Sequence, residues 1–225
     1  MSSTITAGDP QTRPARSVAR ATGAIAAVLL AVALFMTVAS VDVPHEPSDQ
    51  ELLTWWQDSG NRTSGVISGM WALLAACMVA VVMGHLRTLS AAAKAPRWLA
   101  FAGSMAAAVT AVWLVTGAAR AAIGHLVDVM DEPLPGVDVL RAATAFNYTL
   151  LGLSGIAVLG LFILAVSVVV LRTAALGRWV GYVGLGSAVV MIAAVVAQYG
   201  AYTTPLGILW ALCLAVAIWR QPDSA

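Results

Sequence analysis

The one short pattern in this chain that could do covalent chemistry is Gly152-Leu153-Ser154-Gly155. A serine set among small residues in such a chain either attacks a peptide bond or only lets two helices pack closely. A serine hydroxyl is a weak nucleophile unaided and needs a base to take its proton. The candidates are few: His45, His85, His125 and the single lysine, Lys94. Whether any of them reaches Ser154 depends on the elements that carry them.

Six apolar runs hold almost everything else, at 21–41, 64–86, 98–119, 142–171, 179–199 and 204–219. About 20 residues of helix, at about 1.5 Å per residue, cross a hydrocarbon layer. Hydrophobic residues make up 60% of the 225 and charged ones only 10%, where a soluble domain carries about a quarter charged. The sequence therefore predicts an all-α polytopic membrane protein: a six-helix transmembrane domain over 20–220, a disordered tail over 1–19 and a second tail over 221–225. The first run follows basic residues and ends in "TVAS", like a signal peptide. Its apolar core exceeds the usual h-region of about 7–15 residues, so it reads as an uncleaved span. Thr204 and Pro205 read as N-cap and first-turn residue of the last span. Cys77 and Cys213 lie within apolar runs and read as small buried hydrophobes.

Charge orients the spans. Arg13, Arg16 and Arg20, then Arg87, Lys94 and Arg97, then Arg172 and Arg178, and finally Arg220 fall on one side with Asp9 and Asp223, a net +7. The opposite side holds Asp42, Glu46, Asp49, Glu51, Asp58, Asp128, Asp131, Glu132 and Asp138 with Arg62, Arg120 and Arg141, a net −6, which completes the overall +1. Basic loops stay cytoplasmic, so the expectation is a multi-pass protein of the cell (cytoplasmic) membrane with both termini inside. In the first outer loop, Ser48 and Glu51 form a capping box and Gly60 a stop. The short helix between them, with Leu52, Leu53, Trp55 and Trp56, is expected to lie at the interface with its tryptophans at headgroup level. A sharper alternative makes it a lid over a cavity between spans. In the second outer loop, Asp138 is placed to cap the fourth span and Arg141 to snorkel.

With the spans in place, Ser154 lies on the fourth. The arrangement resembles that of rhomboid intramembrane proteases, six-span enzymes with a G-x-S-G serine on the fourth span, and the resemblance implies a histidine base on the sixth. The sixth span here, "TTPLGILWALCLAVAIW", has no histidine, and Lys94 is in a cytoplasmic loop. No enzymatic activity is expected. Gly152, Ser154 and Gly155 read instead as a face for close helix packing, as do Gly65 and Gly69 on the second span and Gly177, Gly181 and Gly184 at the fifth.

Other chemistries find little support. His85 and His125 belong at opposite membrane faces, His85 as an interfacial residue, and His45 is in a loop. A bis-histidine haem does not form from these, and no cofactor is expected. His45, Glu46, His125, Asp128, Asp131 and Glu132 could gather near an outer metal, but without any recognised ligand spacing. Nothing points to nucleic acid. The best candidate site is an outward polar pocket walled by spans three to five, drawing on Arg120, His125, Asp128, Asn147, Tyr148, Gln198 and Tyr202. The alternative is that these residues hydrogen-bond between helices and do no more.

The stretches "ARATGAIAAVLL", "LGRWVGYVGLGSA" and "PLGILWALCLAVAIWR", with the Trp-bearing outer loop, span about residues 18–220. Their pattern resembles a group of six-span bacterial membrane proteins common in actinobacteria, a family defined by a domain of unknown function. The resemblance implies a helical bundle and supplies no activity. The expectation is a non-enzymatic structural or accessory subunit whose partners are the lipid bilayer and another membrane protein. The alternatives are a binder or carrier of a small lipophilic ligand in the outward pocket, and then a membrane-embedded enzyme.

Overall fold

A computed structural model describes residues 12–41, 43, 47–89 and 92–221, with side chains from residue 17 onward. The described chain is all-helical. Its helices are α1 (Thr12–Ala39), α2 (Asp49–Gln57), α3 (Ser59–Thr88), α4 (Pro96–Asp128), α5 (Val137–Tyr148), α6 (Ile156–Thr173), α7 (Arg178–Val196) and α8 (Thr204–Trp219), and α5 runs into α6 through a π-helical segment, Thr149–Gly155. Six stretches are long and apolar enough to cross a membrane: Ser17–Ala39, Ser59–Thr88, Pro96–Asp128, Val137–Thr173, Arg178–Val196 and Gly200–Trp219.

Several boundaries move from the expected ones. The helix of the first span begins at Thr12, within the stretch expected as a disordered tail. Once a span has nucleated, adding further residues such as Ala and Arg is cheap. Residues 1–11 lie outside the described residues. At the other terminus Gln221, expected in a tail, is held: its side-chain amide donates to the Ala175 carbonyl at 2.9 Å, and its own carbonyl accepts from Arg20 at 2.8 Å. Residues 222–225 again lie outside the description. The third span runs on to Asp128 instead of stopping at 119. The fifth ends at Val196, not 199: Gln198 takes a left-handed φ of 66°, Gln198 N–H bonds to Val195 and Tyr199 N–H to Ala194. That is a Schellman stop, which satisfies two end carbonyls. The last helix starts at Thr204, with Thr203 in the cap position and no side-chain cap. Val137 opens the fourth span behind Gly136, so Asp138 lies in its first turn and does not cap it.

The spans pack in chain order. Each of α1, α3, α4, α6, α7 and α8 lies against the next, and α8 closes back on α1. The shared core holds Trp113, Phe162 and Trp210, the last two edge to face with centroids 5.9 Å apart, a geometry the ring quadrupoles favour. Outward faces carry Ile25, Phe35, Met70, Val189 and Leu209. Cys77 is on this exposed surface too, and Cys213 is half-buried. An apolar run in a span is as often lipid-facing as buried, which corrects the reading of both thiols as core. His85, expected at the interface, is instead buried against α1, in a notch where a Cβ on Gly23 would lie 2.6 Å from its ring.

Backbone approach sets the tightest contacts. A Cβ on Gly69 would sit 2.5 Å from the Gly117 carbonyl, and one on Gly117 2.8 Å from the Gly69 carbonyl, so α3 and α4 meet with no side chain between them. The continuous helix expected for the fourth span is interrupted by the π turn, whose Gly152 and Gly155 lower its preference for regular α geometry. There the Gly155 carbonyl accepts the Trp113 indole N–H at 3.4 Å, and the Gly152 carbonyl rests against Gly200.

Replacing Gly69 by leucine should force α3 from α4 and lower stability by about 1–3 kcal/mol, the usual cost of overpacking. Gly84, with nothing near its Cβ position, is the control: alanine there should leave stability equal or slightly higher. Unfolding midpoints in detergent compare the two.

Candidate functional site

The site begins with the short helix α2. Its first turn is held by a reciprocal cap. The Ser48 N–H donates to Glu51 Oε2 at 2.8 Å and the Glu51 N–H to Ser48 Oγ at 3.3 Å. The Ser48 hydroxyl also donates to the carboxylate at 2.7 Å. Hydrogen bonds from Ser48, first through its side chain and then its backbone, hold the Glu51 carboxyl below its ordinary value of 4.5.

Its far end is closed by α3. Asp58 ends α2 and caps α3, accepting from the Asn61 N–H at 2.9 Å, so Gly60 lies inside α3 and is not the stop. Arg62 donates to the Trp56 and Gln57 carbonyls, each at 2.8 Å, and pairs with Asp128 at 2.7 Å. A cation on the last carbonyls of a helix is where the helix dipole favours it. Arg141, expected to snorkel, forms an ion pair with Asp49 at the opposite end of α2.

So fastened, α2 buries one face. Leu52 and Trp56, one turn apart, pack with Val43, Ile123 and Leu140 in a second small core, with Trp56 only 3% exposed. The expectation of tryptophans resting at headgroup level is corrected for Trp56: residues four apart share a helix face, and this face found an apolar seat on α4 and α5.

Beneath α2 lies a cavity of about 100 Å³. Its apolar wall includes Val38, Val41, Val43, Trp55, Leu151 and Ala201, and its polar wall Trp56, Arg120, Thr144, Asn147 and Tyr148. Arg120 reaches across from α4. Its guanidinium donates to the Thr37 carbonyl on α1 at 2.8 Å and to the Ser68 hydroxyl on α3. Ser68 in turn donates to the same Thr37 carbonyl at 2.7 Å. Four of the lining residues each carry a buried polar atom with no hydrogen-bond partner among the described residues: Trp56 Nε1, Arg120 Nε, Thr144 Oγ1 and Asn147 Oδ1. Buried polar atoms are paired in the great majority of cases. Four orphans around one cavity therefore mark it out.

The structure thus brings three of the seven expected pocket residues together, Arg120, Asn147 and Tyr148. The other four are elsewhere. Asp128 is bound to Arg62 and His125 is exposed at the end of α4. Gln198 and Tyr202 are exposed, Tyr202 at 75%, beyond the close of α7. The walls are supplied by spans one to four and the turn before α8, not by spans three to five. Thr144 was missed although it sits one turn before Asn147 and Tyr148, a spacing that puts all three on one helical face. The packing glycines are spread through the bundle. Gly65 faces the Arg120 carbonyl, Gly177 its neighbour Trp179, Gly181 Leu171 and Gly184 both Ser167 and Trp210.

Among the described residues that line the cavity there is no histidine, thiol or carboxylate. Of the acidic outer residues weighed for a metal, His45 and Glu46 lie outside the described residues. Among those described, no three His, Cys, Asp or Glu side chains gather to hold an ion. No family model, curated protein or solved structure matches this chain.

The cap gives α2 a pH signature. A carboxyl whose folded value is depressed stabilises above its unfolded value, and that stability is lost as pH falls through the folded one. A spin label at Thr54→Cys, with Cys77 and Cys213 replaced by alanine, should be immobile at pH 7 and loosen as pH drops below 4.5. With Glu51→Gln added it should be looser at pH 7 and lose most of the pH response. An unchanged spectrum down to pH 3 would place the docking of α2 on Leu52 and Trp56 alone.

Proposed function

We propose that this chain is a non-catalytic, multi-pass protein of a bacterial cytoplasmic membrane that binds or carries a small lipophilic molecule in the cavity under α2. The observation that carries the reading is the set of four unpartnered polar atoms on an otherwise apolar wall. Small-molecule sites are typically apolar hollows with a few convergent polar groups, and an ionisable residue inside a span is by default a functional feature. The sorting of basic and acidic loops supports an outward-facing α2 with both termini inside. The six-span bacterial resemblance supports the same membrane.

The accessory-subunit expectation has no comparable feature to rest on, because the exposed apolar residues of α1 and α7 are what any lipid-facing helix presents. Catalysis has none either. No hydrogen bond links Ser154 to a base among the described residues.

Native mass spectrometry of the full chain, released from its own membranes in mild detergent, should show one recurring small adduct. Asn147→Ala should lower its occupancy by about tenfold, the effect of one well-placed buried hydrogen bond. Gln198→Ala, a residue the fold leaves on the surface, should not change it. Wild-type protein without an adduct, or equal occupancy in both variants, would remove the reading. Sidedness has its own check: a membrane-impermeant maleimide should label Thr54→Cys in intact spheroplasts.

A further inference from the structure

The chemistry of the orphan atoms narrows what the cavity can hold. A guanidinium is always charged, and a charge withdrawn from water is costly unless an opposite charge or a full set of hydrogen bonds meets it. Among the described residues Arg120 has only neutral partners, the Thr37 carbonyl and the Ser68 hydroxyl. Four described carboxylates near α2 have other partners: Asp128 with Arg62, Asp49 with Arg141, Glu51 with Ser48 and Asp58 with the Asn61 N–H. The buried Nε of Arg120 and the buried Nε1 of Trp56 both lack an acceptor among the described residues, and both residues line the cavity. Two N–H donors, one of them on a cation, set in an apolar wall, call for an acceptor that carries negative charge. Water would satisfy the donors and leave the charge unmet.

We infer that the cavity takes an amphiphile whose head is an anionic oxyacid, a carboxylate or a phosphate ester, received by the Arg120 and Trp56 N–H groups. The Thr144 hydroxyl can then donate to the same head, Asn147 Oδ1 can accept a hydroxyl where the head carries one, as a phosphate monoester monoanion does, and the apolar wall takes hydrocarbon. The inference rests on the cavity being a binding site at all, and its test separates the two.

The full chain in nanodiscs of zwitterionic lipid is titrated calorimetrically with decanoate, decyl phosphate and 1-decanoylglycerol. At least one anion should bind about tenfold or more tightly than the neutral glyceride, the usual margin of a charge-assisted hydrogen bond. A tighter decanoate identifies a fatty-acid ligand and a tighter decyl phosphate a lipid phosphate. Trp56→Phe keeps the ring, removes the donor and should weaken the preferred anion several-fold. Because Arg120 also ties α1 to α3, Arg120→Gln can fail to fold, and the anion-to-neutral ratio in the unaltered protein carries the test. A glyceride as tight as the anions overturns the assignment. So does Asp42→Asn tightening the anions about tenfold, which would make that loop carboxylate, outside the described residues, the native partner of Arg120. If no probe binds while the mass-spectrometric adduct persists, the anion assignment falls and the binding site stands. If the adduct is missing as well, both fall.

Discussion

One cation within the bundle organises the α2 end of this protein. Arg120 lies on α4 but its hydrogen bonds are spent on α1 and on α3, through the Thr37 carbonyl and the Ser68 hydroxyl. An arginine stem is long enough to reach between helices, and its planar fork holds several donors in fixed directions. Three spans are therefore pinned at one level. Because α3 and α4 also meet backbone to backbone at Gly69 and Gly117, the guanidinium cannot swing out without parting a tight pair. The space it leaves on the side of α5 is the cavity. Site and scaffold are in this sense one arrangement: the packing that brings the helices together also leaves the Arg120 Nε without an acceptor among the described residues.

The helix α2 is a second layer with a different physical basis. Inside the bundle, apolar side chains gain little from leaving lipid, and cohesion comes from close packing and hydrogen bonds. The small core of Leu52, Trp56, Val43, Ile123 and Leu140 lies at the end where the loops are polar, and there burial from water supplies the driving force. At one end of α2 the exposed Asp49–Arg141 pair aims the helix and is worth about 0–1 kcal/mol, while at the other end the mostly buried Arg62 holds the last carbonyls and Asp128 together. A short helix held by a few apolar contacts and a cap can open with the bundle intact, because local opening needs far less free energy than global unfolding.

The residues explain which parts of this arrangement could be seen in the sequence. Span number and approximate position follow from apolar runs, a one-dimensional property, and those were legible; so was the Ser48–Glu51 cap, whose partners are three residues apart. The ends of spans were less so. Arg120, His125 and Asp128 are polar, so hydropathy stops at 119 where the helix does not, and only the packing of α2 and α3 shows why they remain helical. Pocket membership was harder still. Asn147 and Tyr148 line the cavity with Thr144, Tyr148 while half-exposed, whereas Gln198 takes up the left-handed turn that ends α7 and is exposed. Nothing local to Gln198 announces that turn, because glycine or asparagine is the usual residue there.

The Gly152-Leu153-Ser154-Gly155 segment draws these threads together. As a sequence it suggested a nucleophile; in the fold it forms most of a π turn between α5 and α6. A π turn inserts an extra residue into the helical repeat and rotates everything before it relative to everything after. Upstream lie Thr144, Asn147 and Tyr148 at the cavity, and downstream lie Ile156, Leu159 and Phe162 in the main core. An unbroken α-helix would keep both sets on a single fixed repeat, and the extra residue shifts one against the other. The glycines serve this offset twice, by tolerating the widened turn and by letting the Gly152 carbonyl meet Gly200 and the Gly155 carbonyl meet Trp113. The small residues that looked like the surroundings of a catalytic serine are, on this geometry, what lets one helix face a polar cavity at one end and a dry core at the other.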